Sequence, residues 1–182
     1  MAYIIADNII SPLGETSEEN YLSVKAGRSG IRAYEPGTCN IPEGFYASLL
    51  FEDFETLALR SAQKAIANAQ KDIGNEQKTM GNAQLELKGK RTAFILSSTK
   101  GNIEENISLA DSAQRIASQL GIDAKPIVVC NACISGLSAL ILGNRLIDSG
   151  LYDAAIVCGC DTPRQFILSI LESAFPRTLS PI

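Results

Sequence analysis

The sequence predicts an α/β protein built on a largely parallel sheet. Three observations carry that prediction. Short apolar runs at residues 91–98, 126–130 and 153–158 read as strands. Between them lie segments whose apolar residues recur three or four apart, the spacing of an amphipathic helix. Strands that alternate with helices need crossover connections, and crossovers make neighbouring strands parallel.

The elements follow in order. Residues 3–10 are apolar except at Asp7 and Asn8 and read as a strand, with a turn at Ser11-Pro12-Leu13-Gly14. Thr16 and Glu19 form a capping box opening a helix to about Ala26, and Gly27 is placed to cap its end. Residues 28–50 are rich in Gly and Pro and mostly irregular, with a short strand within residues 45–50. A helix over residues 54–73 puts Ala58, Ala62, Ala65, Ile66 and Ala69 on one face, and Gly74 stops it. Residues 75–90 are polar and read as an exposed loop. A second helix is expected over residues 103–120. A third, residues 134–149, is so apolar that it should be buried on more than one side, and Gly150 ends it. A last helix over residues 163–174 precedes a Pro-containing tail. No internal repeat or linker interrupts the chain, so residues 1–182 read as one domain.

The totals bound the function. The 182 residues are 46% hydrophobic and 20% charged, with a net charge of −4. That is a globular composition without the basic face that nucleic acid requires, so no nucleic acid partner is expected. No segment reaches the ~20 apolar residues needed to span a bilayer. The N-terminus lacks the basic stretch of a signal peptide. The reading is a soluble, cytoplasmic protein with no membrane partner. Five cysteines, an odd number without a secretory signal, argue against a disulfide framework.

Chemistry concentrates in the stretch VVCNACISGLSAL, residues 128–140. Cys130 and Cys133, with Cys158 and Cys160, could be metal ligands, but C-x-C is the wrong second half for a zinc ribbon. A redox pair would put its first cysteine at the helix N-terminus, whereas here Cys133, the second, stands there. No metal site is expected. The nucleophile reading needs only Cys133. At a sharp strand-to-helix turn, the unsatisfied N–H groups and positive end of a helix favour a thiolate and can hold an oxyanion. The small residues Ser135 and Gly136 leave room for a substrate. A buried, inert thiol explains the spacing equally well. Cys130, Cys158 and Cys160 read as small core residues. Lys100 reads as a solvated loop lysine, and Asp161 as a hydrogen-bonding residue at the carboxyl edge of the sheet.

Several stretches together resemble the β-ketoacyl synthases, condensing enzymes of the thiolase-like fold. They are Ile9-Ile10-Ser11-Pro12-Leu13-Gly14, Ala26-Gly27-Arg28-Ser29-Gly30-Ile31, Asn131-Ala132-Cys133-Ile134-Ser135-Gly136, residues 153–161 and Leu179-Ser180-Pro181. The resemblance implies a thiolase-like half, layered α/β/α, with a mixed and mostly parallel sheet. It implies that Cys133 accepts an acyl group from an acyl carrier protein or coenzyme A thioester. The acyl-enzyme then condenses with the carbanion of decarboxylated malonyl thioester, in fatty-acid or polyketide-type synthesis. Ile134 would line the acyl pocket. No cofactor is implied beyond the phosphopantetheine that carries the substrate. The partners implied are acyl carrier protein, malonyl and acyl thioesters, and a second subunit in a homodimer or heterodimer.

The chain departs from that family pattern. Asn131 stands where the family usually has Thr. The family also carries two histidines and a lysine in its second half, and this chain has no histidine. The expectation is an N-terminal domain whose C-terminal half is absent and which alone does not complete the condensation. The alternatives are a non-catalytic partner or dimerisation subunit, and a thiolase-type relative acting on coenzyme A esters.

Overall fold

The structure, a computed structural model, describes residues 2–76 and 87–162. The expected last helix and tail, and most of the expected polar loop, lie outside those residues.

The core is a three-stranded parallel sheet of β3 (Thr92–Ser97), β4 (Ile127–Val129) and β5 (Ala154–Gly159), in the order β4-β3-β5. Ile95 pairs with Ile127 on one side of β3, and Thr92 pairs with Ala154 on the other. All six residues of β3 are buried, as befits a central strand covered on both faces. Alternate residues point to opposite faces. Phe94 and Leu96 enter a cluster with α2 (Phe54–Glu76) and α3 (Leu109–Leu120). Ala93 and Ile95 face α4 (Ser135–Asp148) with Ala139, Leu142 and Leu146. The result is the expected layered α/β/α arrangement. A small antiparallel pair, β1 (Arg32–Tyr34) with β2 (Phe45–Ala47), forms a separate sheet.

Local chemistry sets the helix ends. Thr16 caps α1 (Ser17–Lys25) by accepting the Glu19 N–H at 3.2 Å. The return bond of the expected capping box is displaced by one residue, because the Glu19 carboxylate accepts from the Glu15 N–H at 2.7 Å. The Ser11–Gly14 turn forms as expected, closed by two backbone hydrogen bonds. Gly27 adopts φ +70 beyond α1, the left-handed conformation that glycine tolerates at a helix end. Gly150 does the same beyond α4, with φ +73.

Three sequence expectations are corrected. Residues 3–10 form no strand, because a strand needs a ladder partner and none lies beside them among the described residues. They run instead along α2, where Asn8 donates to Ser61 Oγ at 3.1 Å, and they leave Tyr3 and Ile4 exposed. The helix expected over residues 103–120 is broken. A 3-10 turn at Ile103–Glu105 ends at left-handed Asn106, and Ser108 then caps α3 by accepting the Asp111 N–H at 3.1 Å. Finally, α2 continues through Gly74 to Glu76; one glycine costs a helix only about 1 kcal/mol and does not oblige it to stop.

Candidate active site

The topology selects one edge of the sheet. After β3 the chain leaves toward α3 on one face, and after β4 it leaves toward α4 on the other. Neighbouring strands whose connections part in this way open a crevice at their carboxyl ends, the usual ligand position in open α/β sheets. Cys133 stands there, between the end of β4 and the first turn of α4.

The turn that carries it is tight. Ala132 adopts φ +47, an uncommon conformation for a residue with a side chain. The Ile134 N–H donates to the Asn131 carbonyl and the Ser135 N–H to the Ala132 carbonyl, each at 3.2 Å. The N–H groups of Gly136 and Leu137 have no protein acceptor among the described residues. Donors left over in the first turn of a helix attract negative charge. The Cys133 and Ile134 side chains are both exposed, with Ile134 at 55%. Space beside Gly136 is open: a methyl group added there would meet no atom within 4 Å.

The remaining cysteines separate from Cys133. Cys158 and Cys160 are buried against α2, with sulfurs 3.7 Å from the Ala58 carbonyl and 3.6 Å from the Phe54 carbonyl. Burial pushes the Cys158 thiol up to about 12 and raises Cys160 as well, so neither forms a thiolate near neutrality. Against the core position expected of it, Cys130 is exposed, because β4 is an edge strand among the described residues and ends there; its thiol donates to the Thr99 carbonyl at 3.4 Å.

Two further expectations change at this edge. Ser135 does not serve to make room: it is 4% exposed and its hydroxyl is fully engaged beneath the turn. Lys100 is not the solvated loop lysine its sequence setting suggests. Its side chain is only 14% exposed, and its Nζ lies 3.8 Å from Asp161 Oδ1. Asp161 does serve as a hydrogen-bonding residue. It accepts from the Ser98 hydroxyl at 2.9 Å, the Thr99 N–H at 3.0 Å and the Thr99 hydroxyl at 2.9 Å. Sequence reasoning passed over Ser98 and Thr99, whose partner lies more than sixty residues away.

The helix that follows Cys133, α4, also departs from expectation. Only one side of α4 packs on the sheet. Leu137, Leu140 and Ile141 are 45–60% exposed and continue the line of Ile134 along the other side.

The sequence and the fold are similar to those of known proteins. The sequence model described as beta-ketoacyl synthase, N-terminal domain, matches residues 50–170, which include both strand ends and the Cys133 turn. The chain belongs to the β-ketoacyl synthase family. The ishigamide ketosynthase/chain length factor superposes over 98% of this chain and 57% of its own, with a TM-score of 0.66 and 16% identity. A beta-ketoacyl synthase from Burkholderia phymatum STM815 superposes over 82% of this chain and 44% of its own, with a TM-score of 0.53 and 16% identity. The chain thus spans about half the length of these solved structures. At that identity the likeness speaks for the thiolase-like fold. No curated protein matches the chain in sequence.

Proposed function

We propose that the chain is the N-terminal part of a β-ketoacyl-acyl carrier protein synthase, with Cys133 as its acyl-accepting nucleophile. The observation that carries this reading is the exposed Cys133 thiol, two residues before α4, at the carboxyl ends of β3 and β4. The Cys133 thiolate attacks the carbonyl of an acyl thioester on carrier protein or coenzyme A. The tetrahedral oxyanion is held by backbone N–H groups at the turn, that of Cys133 among them. Collapse expels the carrier thiolate and leaves the acyl group on sulfur. Ile134, beside the nucleophile, lines the path of the acyl chain.

Carbon–carbon bond formation then requires malonyl thioester to lose carbon dioxide and its carbanion to attack the acyl-Cys133 carbonyl. Groups that polarise the malonyl carbonyl are needed for that step, and this chain contains no histidine. Alone, it acylates Cys133 slowly and does not complete the condensation. The pathway served is fatty-acid or polyketide-type synthesis in the cytoplasm, and the working enzyme is a homodimer or heterodimer. No described helix is long and apolar enough to cross a membrane. Intact mass after incubation with an acyl thioester tests the proposal: one acyl increment is expected, lost in Cys133→Ala. An increment that persists in that variant sinks it.

A second reading, a non-catalytic partner subunit, is favoured by the exposed apolar side of α4. It draws on the chain length factor in the name of one structural neighbour. A chain that folds normally and never acylates Cys133 would be this second kind.

A further inference from the structure

We propose that Ser135 is a positioning residue for Cys133, coupled to the sheet through Ser98 and Asp161. This rests on the reading of Cys133 as the reactive thiol.

Ser135 is almost completely buried, and its hydroxyl joins three segments. It accepts the N–H of Asn131 at 2.8 Å. Its single proton is shared between the Ala132 carbonyl at 2.6 Å and the Ser98 carbonyl at 3.0 Å. The first two contacts close the turn from within, across left-handed Ala132. The third ties that turn to the end of β3. A backbone held in a sparsely populated conformation persists only where surrounding contacts fix it. Ser135 supplies those contacts on the buried side of the turn, leaving the Cys133 thiol on the open side.

The anchor point is itself held. The Ser98 N–H donates to the Val129 carbonyl at 3.2 Å, and the Ser98 hydroxyl donates to Asp161. The same hydroxyl accepts the Gly101 N–H at 2.8 Å. Asp161 also holds Thr99, with Lys100 alongside. The ends of all three parallel strands are therefore linked beneath the turn. Neither Ser135 nor Asp161 touches the reacting atoms; both act through the place they give to Cys133 relative to the first N–H groups of α4.

Alkylation by iodoacetamide at fixed pH tests this. Each site is located by fragment-ion mass spectrometry. Cys39, distant in the β1–β2 region, serves as the internal reference. Ser135→Ala is expected to slow Cys133 about fivefold relative to Cys39, the scale of losing a helix-end interaction. Ser135→Thr, which keeps the hydroxyl, should restore the ratio to within about twofold, and Asp161→Asn should fall between. A Cys133-to-Cys39 ratio unchanged in Ser135→Ala overturns the proposal, as does failure of Ser135→Thr to restore it in a folded chain. If circular dichroism shows Ser135→Ala unfolded, Asp161→Asn decides, and an unchanged ratio there overturns it. Alkylation needs no acyl chemistry. A chain that never acylates Cys133 but shows these ratios refutes the proposed function and leaves the positioning role standing.

Discussion

The hydroxyl of Ser112, fully buried on α3, donates to the carboxylate of Glu55 on α2 across 2.9 Å. Arg115, one turn on from Ser112, lies 3.4 Å from the same carboxylate oxygen. This polar clamp sits beside the apolar contact of Ala113, Ile116 and Ala117 with α2. Removing the acceptor should cost more than removing the donor. Glu55→Ala strands a buried hydroxyl and should cost about 2 kcal/mol, while Ser112→Ala leaves Glu55 with Arg115 and should cost about 1 kcal/mol. Urea unfolding of both variants checks the order; the reverse order would mean that the clamp is not the source of the loss.

Four of the five thiols should divide sharply by reactivity, with the half-buried Cys39 between the two groups. A chromogenic disulfide reagent should reach Cys130 and Cys133 in the folded protein, and Cys158 and Cys160 only after unfolding. Rapid reaction of four thiols in the native state would contradict the packing of β5 on α2.

The same burial sets an alkaline limit on stability. Cys158 ionises near its ordinary value of 9.0 in the unfolded chain but at about 12 when folded. The folded state therefore binds its proton more tightly. That contribution is complete below pH 9 and is lost as the pH rises toward 12. Cys160 acts in the same direction. Unfolding midpoints measured from pH 8 to 11 should fall above pH 9, and Cys158→Ala should flatten the decline. A decline of equal slope in that variant would exclude Cys158 as its cause.

At Gly143 the backbone of α4 lies close against the sheet. A methyl group there would stand 3.3 Å from Val157 Cγ2 and 3.5 Å from both the Ala155 Cβ and the Ile95 Cδ1. Gly143→Val should destabilise by about 2 kcal/mol through overpacking, despite removing a glycine from a helix. Thermal unfolding would show it, and a midpoint at or above the parent value would refute the close packing.

The outward side of α4 predicts association. Leu137, Leu140 and Ile141 make an apolar strip of the kind that marks contact surfaces. Light scattering should find a dimer or larger assembly, and Ile141→Glu should shift it toward monomer. A monomeric parent chain would remove the support this strip gives to a partnered enzyme.

Much of this was legible in the residues. The strands β3, β4 and β5 announce themselves as apolar runs, and α3 and α4 by spacing. Cys133 falls where a strand pattern gives way to a helical one. What failed depended on distance. Residues 3–10 carry the composition of a strand, but composition cannot supply a neighbour. Lys100 has the setting of a solvated residue until Asp161 closes over it, and no local pattern joins them. Ser135 shows the same limit on a shorter scale. Its size is visible in the sequence, whereas the three partners of its hydroxyl follow from a left-handed residue that the sequence does not signal. The helix break at Asn106 leaves no trace in the spacing, because Ile103 and Ile107 keep helical spacing across it.

The central position of β3 has a consequence for how the chain is made. Its neighbours come later in the sequence: Ile127 must arrive to pair with Ile95, and Ala154 to pair with Thr92. Closing such long loops is slow, and folding rates fall as contacts become more distant along the chain. During synthesis the most deeply buried strand leaves the ribosome before either flank exists, and among the described elements only α2 is already available to cover it. The growing polypeptide therefore passes through an interval in which TAFILS is exposed on one face and both edges, and that interval ends only when β5 is complete.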